Sequence, residues 1–546
     1  MGAEDVLAPG RDLAPDHHWL AKEKVHTPVP TFTPEQWKSA QHYNVVVVGA
    51  GMSGLHTAWR LRGLDGSAPP SGSTEKPSVA VFERTHHLGG RARTFRIQGD
   101  QTPLDLGAMR FIPSEHKLVN GLAQHFNLQT RDFVVGGDND LRYFRGTRLT
   151  NAEIAAHPES LPFHLRMEEQ GKSVDELLAM GIGAVVPNFQ GLTAQQWDTA
   201  KRTTTLPVTD PSTQKTTQVP LYELGLRDVL SRTLSHEALE MVTSSVGYHT
   251  FLANWDAGEA MEAISGDFKP GITYKTPVSG MAAFPVSLVK DLRADGVPFN
   301  KEQTLRQVAY DTESKQFHLV FEDTKGNATP VVCEQTVLAM PKAPLGELTA
   351  DSPFLQGTRL EQNLGKVTAN PMTRIFVTYD KPWWNDDGIT GGRSVTDLPL
   401  DQVYYYGNSN DARPYVQIYA DGEASDFLAG LQNPAEPGAS TTLTASPQLA
   451  EELQKELTEL HGHALPPPTG FLYKRWSDDF FGGAYHTWNA GSKPFESADA
   501  MIAPLPDVPL YVCGEAFSTD QGWIEGALQT SEKVLSKMGK TPTALQ

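Results

Sequence analysis

The run Val45-Val46-Val47-Val48-Gly49-Ala50-Gly51-Met52-Ser53-Gly54 carries the clearest chemistry in the chain. Gly49 permits a tight strand-to-helix turn, Gly51 lets the backbone approach a pyrophosphate, and Gly54 lets helix and strand pack closely. A G-x-G-x-x-G pattern alone is weak. Here it follows an apolar strand, opens a helix, and is answered 34 residues after Gly49 by Glu83, placed to hold a pair of ribose hydroxyls. Next comes Glu83-Arg84…Leu88-Gly89-Gly90-Arg91-Ala92-Arg93-Thr94, where two glycines let the backbone pass under a diphosphate and a guanidinium supplies fixed donors. Further on stand Leu104-Asp105-Leu106-Gly107-Ala108-Met109-Arg110-Phe111 and, near the C-terminus, Gly514-Glu515…Gly522-Trp523-Ile524-Glu525-Gly526-Ala527.

The elements that position these residues follow from periodicity. Tyr43–Val48 is a short apolar run ending in glycine, a buried parallel strand. Ser53–Arg62 reads as a helix with Leu55, Ala58, Trp59 and Leu61 on its apolar face. Gly63–Ser78 is a loop by composition, and Val79–Phe82 is the second strand of a β-α-β unit. Helical periodicity marks Ser173–Met180 and Leu221–Leu239, broken by the polar segment Thr203–Thr217. Strand patterns return at Leu305–Val308, Phe317–Phe321 and Thr336–Leu338; Arg374–Tyr379, Gln402–Tyr406 and Tyr415–Tyr419 read as a second sheet. The chain closes with a strand, Pro509–Cys513, and a helix from about Trp523 to Lys537. Residues 1–40 read as an extended arm with one short helix near Thr33–Ala40, and no internal repeat is visible.

At 546 residues the chain is long enough for two to four domains. Its 39% hydrophobic and 20% charged residues are a globular composition. A net charge of −19 repels nucleic acid and anionic membrane alike. Cys333 and Cys513 lie far apart in apolar surroundings, which supports neither a disulfide framework nor a metal cluster; no metal is expected. The start has no basic and apolar leader, no run reaches the length of a membrane span, and the end, TPTALQ, is no hydrophobic tail. The expectation is a soluble, cytoplasmic protein.

Taken together, the glycine fingerprint, G-G-R, D-L-G-A-M-R and the C-terminal G-E…G-W-I-E-G-A resemble the flavin-containing amine oxidase superfamily, and within it the L-amino acid oxidases. The resemblance runs from about Tyr43 to Lys537. It implies an α/β fold in which a Rossmann-type FAD-binding domain (42–100, 280–350 and 495–546) is interleaved with a mixed-sheet substrate domain (1–41, 101–155 and 360–494). An inserted, mainly helical domain would span 156–279. It also implies roles: Gly49, Gly51, Gly54, Glu83, Arg84, Gly90 and Arg91 at the adenosine and diphosphate, and Val308 beside the adenine through its backbone. Gly107, Ala108 and Met109 would lie along the isoalloxazine. Gly514 and Glu515 would sit near the diphosphate and ribityl chain, and Trp476, Gly522, Trp523 and Ile524 around the flavin. Arg110 would clamp a substrate carboxylate bidentately, helped by the hydroxyl of Tyr419. Blander roles stand beside these: a buried ion pair of Arg110 with Asp105, an ordinary strand aromatic at Tyr419, a core tryptophan at Trp476. Homo-oligomers are common in such a family.

The reaction implied is oxidative deamination of an L-amino acid by hydride transfer from Cα to flavin N5, yielding 2-oxo acid, ammonia and hydrogen peroxide. Two departures from the family pattern matter. Covalent members carry flavin on a cysteine in the segment matching Trp476–Tyr485, which has none here, so the FAD is expected to be non-covalent. A lysine linked to oxygen reactivity is replaced by Arg374 in Thr373-Arg374-Ile375-Phe376, so dehydrogenase behaviour with another acceptor could rival oxidase behaviour. The acids Asp256, Glu259, Glu262 and Asp267 could meet a basic substrate side chain or form a solvated face. Rival readings are an amine or polyamine oxidase, disfavoured by Arg110, an L-amino acid 2-monooxygenase, and a non-catalytic flavin-binding protein.

Overall fold

The structure is a computed structural model and describes residues 28–70, 75–96, 102–267, 271–407, 413–432, 444–477 and 481–545. The expected arm therefore lies mostly outside the described residues. Its short helix is present as Pro34–Lys38, opened by Thr33 and Gln36 in a reciprocal capping pair.

Strand Gln41–Val48 enters the core as its side chains turn from mixed to wholly apolar at Val45–Val48. It pairs in parallel with Val79–Phe82 on one side and with Ala328–Leu338 on the other. The seven-stranded sheet continues as an antiparallel meander through Gln316–Asp323 to Gln303–Asp311. The second half of Ala328–Leu338 turns from the meander to take Leu510–Val512 in parallel. That one long strand thus joins the nucleotide-type half of the sheet to the meander and to the C-terminus.

Helix Met52–Leu61 is buried along its whole length. The C-terminal helix Ile524–Lys537 lies against it: Thr57 and Ser531 hydroxyls meet at 2.7 Å, and Arg60 donates to Glu532 at 2.8 Å. An apolar cluster on each face of the sheet, one around Leu55, Trp59 and Leu528 and one around Phe82, Phe321 and Leu345, fills the layers.

A second seven-stranded sheet runs in the order Gly470–Arg475, Met372–Thr378, Tyr415–Asp421, Gln402–Tyr406, Arg393–Thr396, Leu141–Phe144, Thr147–Thr150. Alternation sorts its side chains. Ile375, Val377, Val403, Val416 and Ile418 pack with Leu449, Leu453 and Leu457 of helix Pro447–His461. Met372, Phe376, Tyr404, Tyr415 and Tyr419 face the opposite way, toward Leu104, Met109 and Trp476.

Between Ser173 and Asp267 the chain is mainly helical, with helices Val174–Gly183, Ala194–Thr203, Leu226–Leu230, His236–Val246 and Ala257–Asp267 around a core of Leu177, Leu226, Leu239 and Met261. The polar break Thr203–Thr217 contains most of a β-hairpin, Thr205–Thr209 with Thr216–Pro220, whose threonines suit an exposed ladder. No helix among the described residues is long and apolar enough to cross a membrane.

Candidate active site

The fingerprint turn is tight for a stated reason. A Cβ on Gly49, whose φ is +105°, would lie 2.3 Å from the Ala339 carbonyl oxygen, and one on Gly54 would lie 2.0 Å from the carbonyl oxygen of Gly49. Gly51 differs: nothing stands within 4 Å of its absent Cβ, because it fronts a cavity of about 1110 Å³. The unpaired N–H groups of the helix start face that space.

Gly49, Gly51, Glu83, Arg84, Gly90, Arg91, Ala108, Gly514, Glu515, Gly522, Trp523 and Ile524 all line this one cavity, although they come from both ends of the chain. At one end the Glu83 carboxylate accepts from the amides of Ala50 and Thr85, both at 2.8 Å, while burial pushes its pKa up. Arg84 pairs with Glu347 at 3.0 Å. At the other end Glu515 accepts from the Gly522 amide, the His486 amide and His486 Nδ1, and pairs with Arg91 at 3.0 Å. Burial alone would raise its pKa; His486 and Arg91 overcome that and hold it at about 2, so it is ionised.

Val308 requires a correction. Its amide is taken by Ser352 Oγ at 3.0 Å and it is buried, so it does not reach the cavity; Gln303, Thr304, Leu305 and Arg306 of the same strand do. A register shift between Leu305 and Gln307 turns the backbone there. Gly54 lies inside the turn. Gly107, Met109 and Trp476 also stop short of the wall. A Cβ on Gly107 would meet the Arg91 carbonyl oxygen at 2.0 Å, Met109 Sδ receives Gln417 Nε2 at 3.6 Å, and Trp476 donates to the Leu106 carbonyl at 2.7 Å. Met340, Phe481 and Ala484, which the sequence patterns do not single out, line the cavity instead.

Beyond Ala108, Arg110 enters an aromatic cluster. Its guanidinium donates to Tyr248 Oη at 3.1 Å and more weakly to Tyr404 Oη at 3.4 Å, and lies over the rings of Tyr274 and Phe133, 4.5 and 5.3 Å from their centroids. Among the described residues it has no carboxylate partner, and its buried Nε has no hydrogen bond. Asp105 is not that partner: its Oδ1 accepts from Thr94 Oγ1 and the Met281 amide. Burial opposes the charge of Arg110, but Tyr248, Tyr404 and Tyr274 more than offset it, and its pKa rises. Neutral hydroxyls and ring faces thus surround a buried cation.

Tyr419 stands directly across the ladder from Arg374, and its ring meets Tyr248 edge-on at 5.5 Å. Arg374 lies 5.0 Å over the Tyr419 ring and donates to the Asp105 carbonyl at 2.8 Å; burial lowers its pKa. Trp523 connects cluster and cavity: it lines the cavity, packs on His116 at 4.5 Å, and donates from Nε1 to Asp267 at 2.6 Å. Neither Tyr248, Tyr274 nor Tyr404 was marked by a motif; only the sheet and the helical segment bring them to Arg110.

Asp387, His461 and His463 form the one group among the described residues with ligand atoms close enough to hold a cation. Each oxygen of Asp387 already meets one imidazole at 2.8 Å, so the group satisfies itself at the end of helix Pro447–His461.

A glycine fingerprint and an acid at the second strand end, both lining a large cavity whose wall includes Ala108, two residues before the Arg110 guanidinium, define a dinucleotide flavoprotein of the oxidoreductase class. The chain belongs to the flavin-containing amine oxidoreductase family, whose family model matches residues 52–534. It lies in the branch of the L-amino acid oxidases: it is 25% identical to L-amino acid oxidase Bs29 of Bothriechis schlegelii over 92% of each chain. It is also 27% identical to Aplysianin-A of Aplysia kurodai, covering 90% of this chain and 89% of that one. Among solved structures it shares the fold of cyclohexylamine oxidase from Brevibacterium oxydans IH-35A, at TM-score 0.65 and 16% identity over 91% of this chain and 98% of that one. Putrescine oxidase matches at TM-score 0.64 and 16% identity, over 91% and 99% of the two chains. The cofactor is FAD. The cavity and the open face of Gly51 fit it, and neither Cys333 nor Cys513 lines the wall, so no thiol is placed to bond it.

Proposed function

We propose that this enzyme oxidatively deaminates L-amino acids. The observation that carries the reading is Arg110, a buried guanidinium that lacks a carboxylate partner among the described residues, beyond the same Ala108 that lines the cavity. A charge kept there costs stability unless a ligand completes it, and an α-carboxylate matches its fork. A simple amine brings no such group.

FAD, which Glu83, Arg91, Glu515 and the backbone at Gly51 would hold, would supply the hydride acceptor for substrate Cα. Everything else falls to the chain. Arg110 fixes the carboxylate, and the Tyr419 hydroxyl, on the same face of the sheet as Tyr404, supplies a second donor. Trp523 and the ring faces around Arg110 shape the space over Cα and keep water from the charges. The amine must arrive neutral, since its lone pair drives departure of the hydride. The imino acid released then takes up water and yields 2-oxo acid and ammonium.

An anaerobic bleaching screen against the twenty L-amino acids and several amines tests the reading, followed by product analysis. Bleaching by L-amino acids with 2-oxo acid and ammonia formed supports it. Bleaching by amines alone, or an amide with carbon dioxide as product, overturns it. The electron acceptor turns on Arg374, which offers a planar, backbone-tied guanidinium where relatives in the family pattern carry a compact ammonium. Both oxygen and a second acceptor are substrates under this reading.

A further inference from the structure

Of the four acids Asp256, Glu259, Glu262 and Asp267, three are occupied within the helical region. Asp256 Oδ1 accepts the Glu259 amide at 3.1 Å at the start of helix Ala257–Asp267, and Lys201 binds Glu259 and Glu262 at 2.8 and 2.6 Å. Asp267 ends that helix and points elsewhere. Its Oδ2 accepts Trp523 Nε1 at 2.6 Å, and its backbone carbonyl accepts the Tyr274 hydroxyl. Only part of its surface stays open, and its partner Trp523 lines the cavity.

Among the described residues Asp267 has no ion-pair partner. Of the charges that act most on it, Asp520 and Glu115 are acids and Arg110 is a base. Burial first, and Asp520 next, push its pKa up to about 8. Arg110 and Asp267 thus both lack an ion-pair partner among the described residues. Arg110 lies over the Tyr274 ring, and the hydroxyl of the same tyrosine donates to the Asp267 backbone carbonyl, so one tyrosine touches both residues.

We propose that Asp267 receives the cationic end of the substrate side chain, making basic L-amino acids, with an amine or guanidine on a three- or four-carbon stem, the preferred class. With its carboxylate on Arg110, such a substrate gives Arg110 the anion it lacks and brings a cation against which Asp267 ionises. Aliphatic substrates give Asp267 no cation to ionise against, and acidic ones place a second carboxyl beside it. This inference rests on the deamination reading above.

The test compares kcat/KM of the holoenzyme for L-lysine, L-arginine, L-norleucine and L-glutamate, then repeats it with Asp267→Asn. Asparagine keeps an acceptor for Trp523 Nε1 and removes only the group that can ionise against a cation. We expect lysine or arginine to exceed norleucine by about 100-fold, glutamate to be refused, and the lysine-to-norleucine ratio to fall by about 100-fold in the variant. A wild-type enzyme that ranks norleucine with lysine, or a variant whose ratio is unchanged, overturns the proposal while leaving deamination intact. If the variant fails to bind FAD, the wild-type ranking decides. A wild-type flavin that no L-amino acid bleaches overturns the underlying reading instead.

Discussion

At the scale of single residues, the decisive feature is a charge left incomplete. Arg110 is surrounded by tyrosine hydroxyls and ring faces, which keep it protonated without neutralising it. Replacing it with alanine is expected to lower kcat/KM for the best amino acid by roughly 100- to 1,000-fold, mostly through KM, because a desolvated charge pair is lost. Steady-state kinetics and substrate titration of the flavin spectrum check this; an unchanged KM would refute the carboxylate role. Arg374 is tied to the Asp105 carbonyl and lies over Tyr419, so it is less free to reorganise than an ammonium. Anaerobic reduction is expected to outrun turnover in air, and Arg374→Lys to speed reoxidation by oxygen about 10-fold. Stopped-flow mixing of the reduced enzyme with oxygen measures it; fast reoxidation of the wild type sinks the idea.

At the scale of elements, the turn from strand Gln41–Val48 into helix Met52–Leu61 separates two glycine requirements that look alike in sequence. Gly54 is confined by the Gly49 carbonyl and Gly51 is open to the cavity. Gly54→Ala must push backbone from backbone and is expected to cost about 2–3 kcal/mol, seen as a lower melting temperature even without flavin. Gly51→Ala meets no protein atom; its methyl takes diphosphate space, so flavin content should fall while the circular dichroism of the fold is kept. Equal effects from the two variants would contradict this division. The C-terminal helix matters for the same turn, since Ser531 and Glu532 bind Thr57 and Arg60 of the fingerprint helix.

At the scale of the whole molecule, several buried groups titrate together. Burial pushes the carboxyls of Asp256, Asp267 and Glu456 up to about 8, and the hydrogen bond to Asp401 holds His249 at about 9. Between pH 7 and pH 9 an unfolded chain has already shed these protons and the folded one still binds them. Raising pH therefore removes protons bound only by the native state, and stability falls. Melting of the holoenzyme is expected to drop by roughly 2–5 °C from pH 7 to pH 9. A flat or rising profile across that window would show these groups are not protonated as placed. Occupation of Asp267 by a basic substrate should flatten the slope.

The amino-acid sequence by itself determined the nucleotide half: the β-α-β unit, its glycines, Glu83, Arg91 and Glu515 are local signals, each set by backbone sterics or charge within a few residues of the turn it serves. It also marked Arg110 and Arg374 as unusual. Tertiary structure alone decided what surrounds them. Tyr248 lies two residues past helix His236–Val246, Tyr274 opens a later strand, and Tyr404 lies on the second sheet, and nothing local announces that all three converge on one guanidinium. The same holds for the four acids, which read alike in sequence. Lys201 claims two, a helix start claims one, and Asp267 bonds instead to Trp523, which lines the cavity. Val308 lies just past a register shift at Leu305–Gln307, with its amide on Ser352 and outside the cavity wall, and strand periodicity cannot show such a shift.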